Sequence, residues 1–124
     1  MIVLAAAMAS MTVAEMRHQR RVLIVAAASA ADARKGAQDA ALAGMTKDLA
    51  DRDVTVVTVT GDTVKGAADS AASLRERWRL PKAAFGVVLV GKDGHAALRR
   101  KEPIDAATLV ATIDAMPMRR AGQR

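Results

Sequence analysis

The side chains of this protein that could do chemistry fall into a few short groups. Ser29 and Asp32 stand in Ala28-Ser-Ala-Ala-Asp32. A serine nucleophile needs a base within hydrogen-bond reach and an oxyanion hole. The only histidines are His18 and His95, both remote in sequence. Ser29-x-x-Asp32 instead has the spacing of a capping-box-like helix start. Free N–H groups at such a start attract anions, but Asp32 would repel one. Gly91-Lys92-Asp93-Gly94 invites comparison with a phosphate loop. A P-loop is a longer Gly-x-x-x-x-Gly-Lys-Ser/Thr run that opens a helix. The four residues are better read as a tight turn between strands, with Lys92 and Asp93 as exposed contact residues, since function concentrates on loops. Asp51, Asp53 and Asp62 lack the spacing of a calcium loop and read as solvated carboxylates.

The stretch Asp114-Ala-Met116-Pro-Met118-Arg119-Arg120 carries two readings. As structure, Met116 and Met118 pack the end of a helix against a sheet, Pro117 terminates it, and Arg119 and Arg120 complement its C-terminal dipole. As function, two soft methionine side chains beside two arginines form a docking surface for an acidic protein partner. Candidate binding residues are therefore Lys92, Asp93, Asp114, Met116, Met118, Arg119 and Arg120. No catalytic residue, metal ligand or cofactor site is expected.

The absence of cysteine removes disulfides, thiolate metal sites and thiol nucleophiles together. At 124 residues a single domain is the natural expectation. With one Phe, one Trp and no Tyr, its core must rest on Val, Leu, Ile and Met. The formal net charge is +6. The positive residues form short clusters at Arg17, Arg20 and Arg21; Arg75, Arg77 and Arg79; Arg99, Arg100 and Lys101; and Arg119 and Arg120. None is flanked by the aromatics that stack bases in single-strand binders, so a solvated basic surface is expected over a nucleic-acid site.

Around these groups, hydrophobic patterning places the elements. Arg21 to Ala28 is a continuous apolar run, as in a strand buried on both faces. From Asp32 to about Asp51, Ala37, Ala41, Leu42, Met45 and Leu49 fall on one helical face. Asp53 to Thr60 is β-branched with alternating threonines, a strand with one less-buried face. A polar loop spans Gly61 to Asp69. Ser73-x-x-Glu76 caps a short helix carrying Leu74 and Trp78 that ends before Pro81. Phe85 to Val90 is a third strand, and the Gly-Lys-Asp-Gly turn returns His95 to Arg99 as its antiparallel partner. Asp105 caps a last helix, with Ile104 and Leu109 as a hydrophobic staple and Leu109, Val110, Ile113 and Met116 buried.

The order β-α-β-α-β-β-α predicts an α/β fold: one four-stranded mixed sheet covered by helices on both faces. Met1 to Thr12 is apolar and small, with Ala-Met-Ala at Ala7 to Ala9, like the h-region and cleavage site of an export signal. Residues 1–14 are set apart as a signal-like or disordered segment, 15–120 as the domain and 121–124 as a basic tail. A periplasmic or secreted location follows if that segment is a signal remnant, and a cytoplasmic one otherwise. The apolar run is too short to span a bilayer.

That element order, with Arg21-Val-Leu-Ile-Val, Asp51-Arg-Asp53, Gly91-Lys-Asp-Gly94 and Ile113-Asp-Ala-Met-Pro-Met-Arg-Arg120, closely resembles a bacterial domain family of unknown function considered thioredoxin-like. The likeness covers about Glu15 to Arg120. It implies a thioredoxin-like three-layer α/β/α sandwich and, since members often carry an export signal, an exported protein. The dithiol of a working thioredoxin would sit where the first strand meets the first helix, here Ala28 to Asp32. Its cis-proline would stand just before the third strand, where Ala83, Ala84 and Phe85 stand instead. The expected function is a non-redox accessory or binding module. The alternatives are an enzyme using a non-thiol polar site of Lys92, Asp93 and Arg119, or a weak nucleic-acid binder.

Overall fold

A computed structural model describes residues 11–122, so Met1 to Ser10 of the signal-like stretch lie outside the described residues. A single 3-10 turn, Ala14–Met16, leads into β1 (Arg21–Ala27), α1 (Ala33–Ala43), α2 (Thr46–Asp51), β2 (Val54–Thr60) and β3 (Thr63–Lys65). There follow α3 (Ala71–Trp78), β4 (Gly86–Val90), β5 (Ala96–Arg100), α4 (Ala106–Asp114) and α5 (Pro117–Arg120). Val13, upstream of Glu15, belongs to the packed body: it is buried, and its N–H donates to Asp69 Oδ1 at 2.8 Å.

The sheet has five strands in the order β3-β2-β1-β4-β5, not the four expected from the sequence. β1 runs parallel to β2 and antiparallel to β4, and β4 and β5 form the expected antiparallel pair. The additional strand β3 folds back antiparallel on β2, pairing Thr60 with Thr63. It is three residues long, with only Val64 half-buried. A strand that short on a sheet edge carries too little alternation to stand out from a polar loop. Gly66 (φ +94°) closes this segment, and a Cβ there would lie 2.4 Å from the Val56 carbonyl oxygen.

Strand alternation sends successive side chains to opposite faces, and two apolar cores result. On one face Val22, Ile24, Val57, Val59, Val88 and Val90 pack with Leu74 and Trp78 of α3 and with Val13 and Met16. On the other Leu23, Val25, Val54, Val87 and Leu89 pack with Leu42, Leu49, Leu109 and Ile113 of α1, α2 and α4. Every residue of β1 is buried.

Helix boundaries differ from expectation in local detail. Asp32, not Ser29, caps α1, its carboxylate accepting from the Arg34 N–H at 2.8 Å. Ser70, not Ser73, caps α3, and its hydroxyl accepts from the Ser73 N–H. The first helical stretch is broken at Gly44 and Met45 into α1 and α2. Asp105 caps α4 as expected, but Pro117 opens a separate helical turn rather than only ending one, a position where its missing N–H costs nothing.

The inward face of α1 holds a polar residue. Gln38 is wholly buried and Ala37 beside it is exposed, the reverse of the expected helical face. The Gln38 amide donates to the Ile104 carbonyl at 2.9 Å and accepts from the Ile104 N–H at 2.7 Å. It thereby satisfies both backbone groups of the residue that leads into α4. Gln38→Ala should leave a buried donor and acceptor unpaired and cost about 2–4 kcal/mol, each such group costing roughly 1–3. Urea unfolding checks this; a loss below about 0.5 kcal/mol would show the clamp to be incidental.

Candidate functional site

β1 and β2 begin side by side, Arg21 opposite Val54, and the last residue of β4, Val90, pairs with Val22. The Gly91 to His95 turn therefore stands at the end of the sheet where the parallel strands start. Its shape is set locally: the Gly91 N–H donates to the His95 carbonyl (2.9 Å), the Gly94 N–H to the Gly91 carbonyl (3.0 Å), and the His95 N–H to Asp93 Oδ1 (3.0 Å). Gly94 has φ +85°, a conformation that glycine adopts without strain.

Lys92 is not the exposed contact residue expected from a turn. It is 7% exposed, and its ammonium lies 2.8 Å from Asp53 Oδ2. Asp53 is likewise no solvated carboxylate. It sits immediately before β2 with φ +54°, a left-handed conformation that aspartate tolerates better than most residues. Its carbonyl accepts the Arg21 N–H at 2.9 Å, and its Oδ1 lies 3.8 Å from the Arg20 guanidinium. Arg20 is fixed in turn by the Thr55 hydroxyl (2.9 Å) and the Val54 carbonyl (3.1 Å). Taking a lysine out of water requires a paired, hydrogen-bonded anion, and Asp53 supplies it. The turn is thus anchored by charge to the start of β2. A second anchor is the His18 N–H, which donates to the Lys92 carbonyl at 2.7 Å.

The Met-Pro-Met segment lies against the same turn. Lys92, Asp93, Ala97, Met116 and Met118 line one groove of about 370 Å³. Met116 is half-buried, with its sulfur 3.3 Å from Arg21 Nε. Arg21 is itself buried and donates to the Arg52 carbonyl at 2.7 Å. Met118 is 40% exposed, the one large apolar side chain so exposed among the described residues. Asp93 is exposed at the groove edge.

Asp114 and Arg119 join a salt-bridge network at the surface. Arg52 grips Asp114 with two hydrogen bonds, Nε to Oδ1 at 3.0 Å and a terminal nitrogen to Oδ2 at 3.1 Å. Arg119 reaches the same carboxylate at 3.5 Å and Asp51 at 3.4 Å. The network ties α2 to α4 and α5. The hydrogen bond from Arg52, reinforced by the charges of Arg52 and Arg119, holds the Asp114 carboxyl below its ordinary value, and Asp114 correspondingly raises Arg52. Arg120 is exposed. The sequence candidates thus divide: Lys92, Asp93, Met116 and Met118 share a groove, whereas Asp114 and Arg119 brace the helix behind it.

Sequence reasoning missed Arg20, Arg21 and Asp53 as partners in this cluster. The basic run before β1 and the Asp-Arg-Asp before β2 carried the signal, because parallel strands in register bring their preceding residues together. At the opposite pole, where β1 meets α1, Ser29 is exposed, with Asp32 supplying the cap. There the buried Arg75 donates to the carbonyls of Ala27 (3.0 Å) and Gly61. Among the described residues no group of three or more His, Asp or Glu side chains is placed to hold a metal ion. No helix among them is long and apolar enough to cross a membrane.

Residues 12–122 match the family described as Domain of unknown function (DUF4174), and the chain belongs to that family. No protein of curated function matches it.

Two outcomes test this geometry. Breaking one side of the Lys92–Asp53 pair, as Lys92→Met or Asp53→Asn, should cost about 1–4 kcal/mol, less than for a fully buried pair because Asp53 keeps some solvent. The double variant should lose at least about 1 kcal/mol less than the sum, and strict additivity would show the pair to be uncoupled. Asp114 is depressed in the folded state, so its contribution is present above its unfolded value and lost as pH falls through the folded one. Stability should therefore drop below about pH 4, and Asp114→Asn should flatten that part of the unfolding-versus-pH curve.

Proposed function

We propose that this protein is a non-redox, thioredoxin-like binding module that docks an acidic protein partner in the groove between the Gly91 to His95 turn and Met116 to Met118. One observation carries the proposal. Two motifs distant in sequence meet as walls of one groove, with an exposed methionine at its mouth. The fold reading is supported by the parallel β1-α-β2 unit beside the antiparallel β4–β5 hairpin, with β3 as an edge addition. The absence of cysteine removes the thiol chemistry associated with such a fold.

A binding role is favoured over an enzyme built on Lys92, Asp93 and Arg119 because two of these three are engaged internally. Lys92 is held by Asp53, and Arg119 by Asp51 and Asp114. The exposed Arg120 and the net charge of +6 favour an acidic partner. Export to a bacterial periplasm belongs to the same proposal, supported by the apolar Met1 to Thr12 stretch; fractionation of the native cell checks it.

Disulfide reductase and isomerase assays should give rates no higher than buffer. Affinity capture from the native cell should retain an acidic protein on the natural chain and on Ser29→Asp, at the far pole. Met118→Asp, which sets a carboxylate in the groove mouth, should weaken capture at least about tenfold. Equal capture by both variants, or turnover of a substrate at the groove, would overturn the proposal.

A further inference from the structure

The far side of the Gly91 to His95 turn holds a second concavity, distinct from the docking groove. It encloses about 190 Å³, and its apolar lining comes from Val13, Val22, Val90 and Trp78. Around it stand Arg17, Arg20, Arg77 and His95, with Asp93 as the single acidic side chain. The turn is the shared partition: Asp93 and His95 line both spaces.

The arginines differ in what holds them. Arg20 is fixed by Thr55 and Val54 and shares its charge with Asp53. Arg77 lies over the Trp78 ring, 5.2 Å from its centroid, and forms no ion pair among the described residues. Arg17 is exposed and, among the described residues, also without an ion pair. Its stem lies across Gly94, where a Cβ would come within 3.1 Å of Arg17 Cδ. The one acidic side chain is already occupied on one oxygen by the His95 N–H. Trp78 is 7% exposed, and its buried indole N–H has no hydrogen-bond partner. That N–H is closed off from solvent, so Trp78 contributes its ring, not a donor, to the cleft wall.

Size narrows the occupant. A cavity of about 150 Å³ is enough for benzene, so one ring or a branched chain of similar bulk fits here. An apolar floor beneath a cationic rim matches an anion with an apolar body, since small-ligand sites combine an apolar lining with a few placed polar groups. Inorganic phosphate would satisfy the rim and make no use of the apolar floor.

We infer that the cleft between Trp78, Arg17, Arg77 and the Gly91 to His95 turn binds a small organic carboxylate with an apolar body about the size of benzoate. The carboxylate meets the arginine rim and the body rests on the floor where Val22, Val90 and Trp78 line the space. The site is separate from the docking groove and stands whether or not that groove binds a partner.

Trp78 is the only tryptophan in the chain, so the intrinsic tryptophan signal comes from a residue that lines this cleft. Titrating the full chain with benzoate at low salt should give a saturable change, with matching heat by calorimetry and an affinity that falls as salt rises. Arg17→Ala and Arg77→Ala should each weaken binding about tenfold or more, the scale of one charge-assisted contact. Arg17→Glu should abolish it, and Ser29→Ala should leave it unchanged. Because Arg77 touches the reporter, calorimetry decides for that variant. Benzamide, which has the same shape without the charge, should not saturate. Three results would overturn the inference: no saturation by benzoate up to about 10 mM, a range that covers even weak millimolar sites; equal binding of benzamide; or inorganic phosphate binding as tightly as benzoate.

Discussion

Strand β1 is buried along its whole length, paired on both edges and covered on both faces, and the rest of the molecule follows from closing around it. A strand apolar on both sides cannot form one wall of a two-layer fold, because one face would remain in water. Helices α1, α2 and α4 therefore cover one side, and α3 with the Ala14–Met16 turn covers the other. The ends of β1 meet the same demand by polar means. Arg21, itself buried, donates to the Arg52 carbonyl at the start, and Arg75 takes the Ala27 carbonyl at the finish. Each guanidinium supplies several donors in a fixed fork, which suits it to gathering carbonyls where strands and loops converge.

The poles of the sheet consequently have different characters. At the β1–α1 pole, short alanines and a serine surround backbone groups already occupied by Arg75 and Asp32. At the other pole the partly buried Lys92–Asp53 pair fastens the β4–β5 turn to the start of β2. The turn so fastened is the partition between two concavities. The two concavities on its sides owe their shape to that anchoring, since an unfastened four-residue loop would not hold either wall. The salt bridges of Arg52, Asp114 and Arg119 do the same for the Met-Pro-Met wall.

Much of the architecture was legible in the chain. Val22 to Ala27, Val54 to Thr60 and Val87 to Val90 announce strands by their β-branched runs, and Asp105 with its staple announces α4. The failures were local or long-range in identifiable ways. Ser29 and Ser73 each had the spacing of a cap, but a neighbouring Asp32 or Ser70 lay within one turn and took the role. Capping depends on which backbone first turns helical, and several residues in one turn compete for it on nearly equal terms. Gln38 was passed over in favour of Ala37 because its burial depends on Ile104, far along the chain, presenting both backbone groups to it.

The sequence by itself determined the α/β class, the exclusion of thiol chemistry and the two motifs at which the surface features gather. It could do so because composition and short-range periodicity are properties of the chain, independent of its contacts. Tertiary structure alone decided what the motif residues do. Lys92 and Asp114 both read as surface groups, and only the juxtaposition of β2 with the hairpin, and of α2 with α4, turned them into partners of Asp53 and Arg52. What a charge does depends on what lies within a few ångströms of it, and those neighbours come from distant parts of the chain.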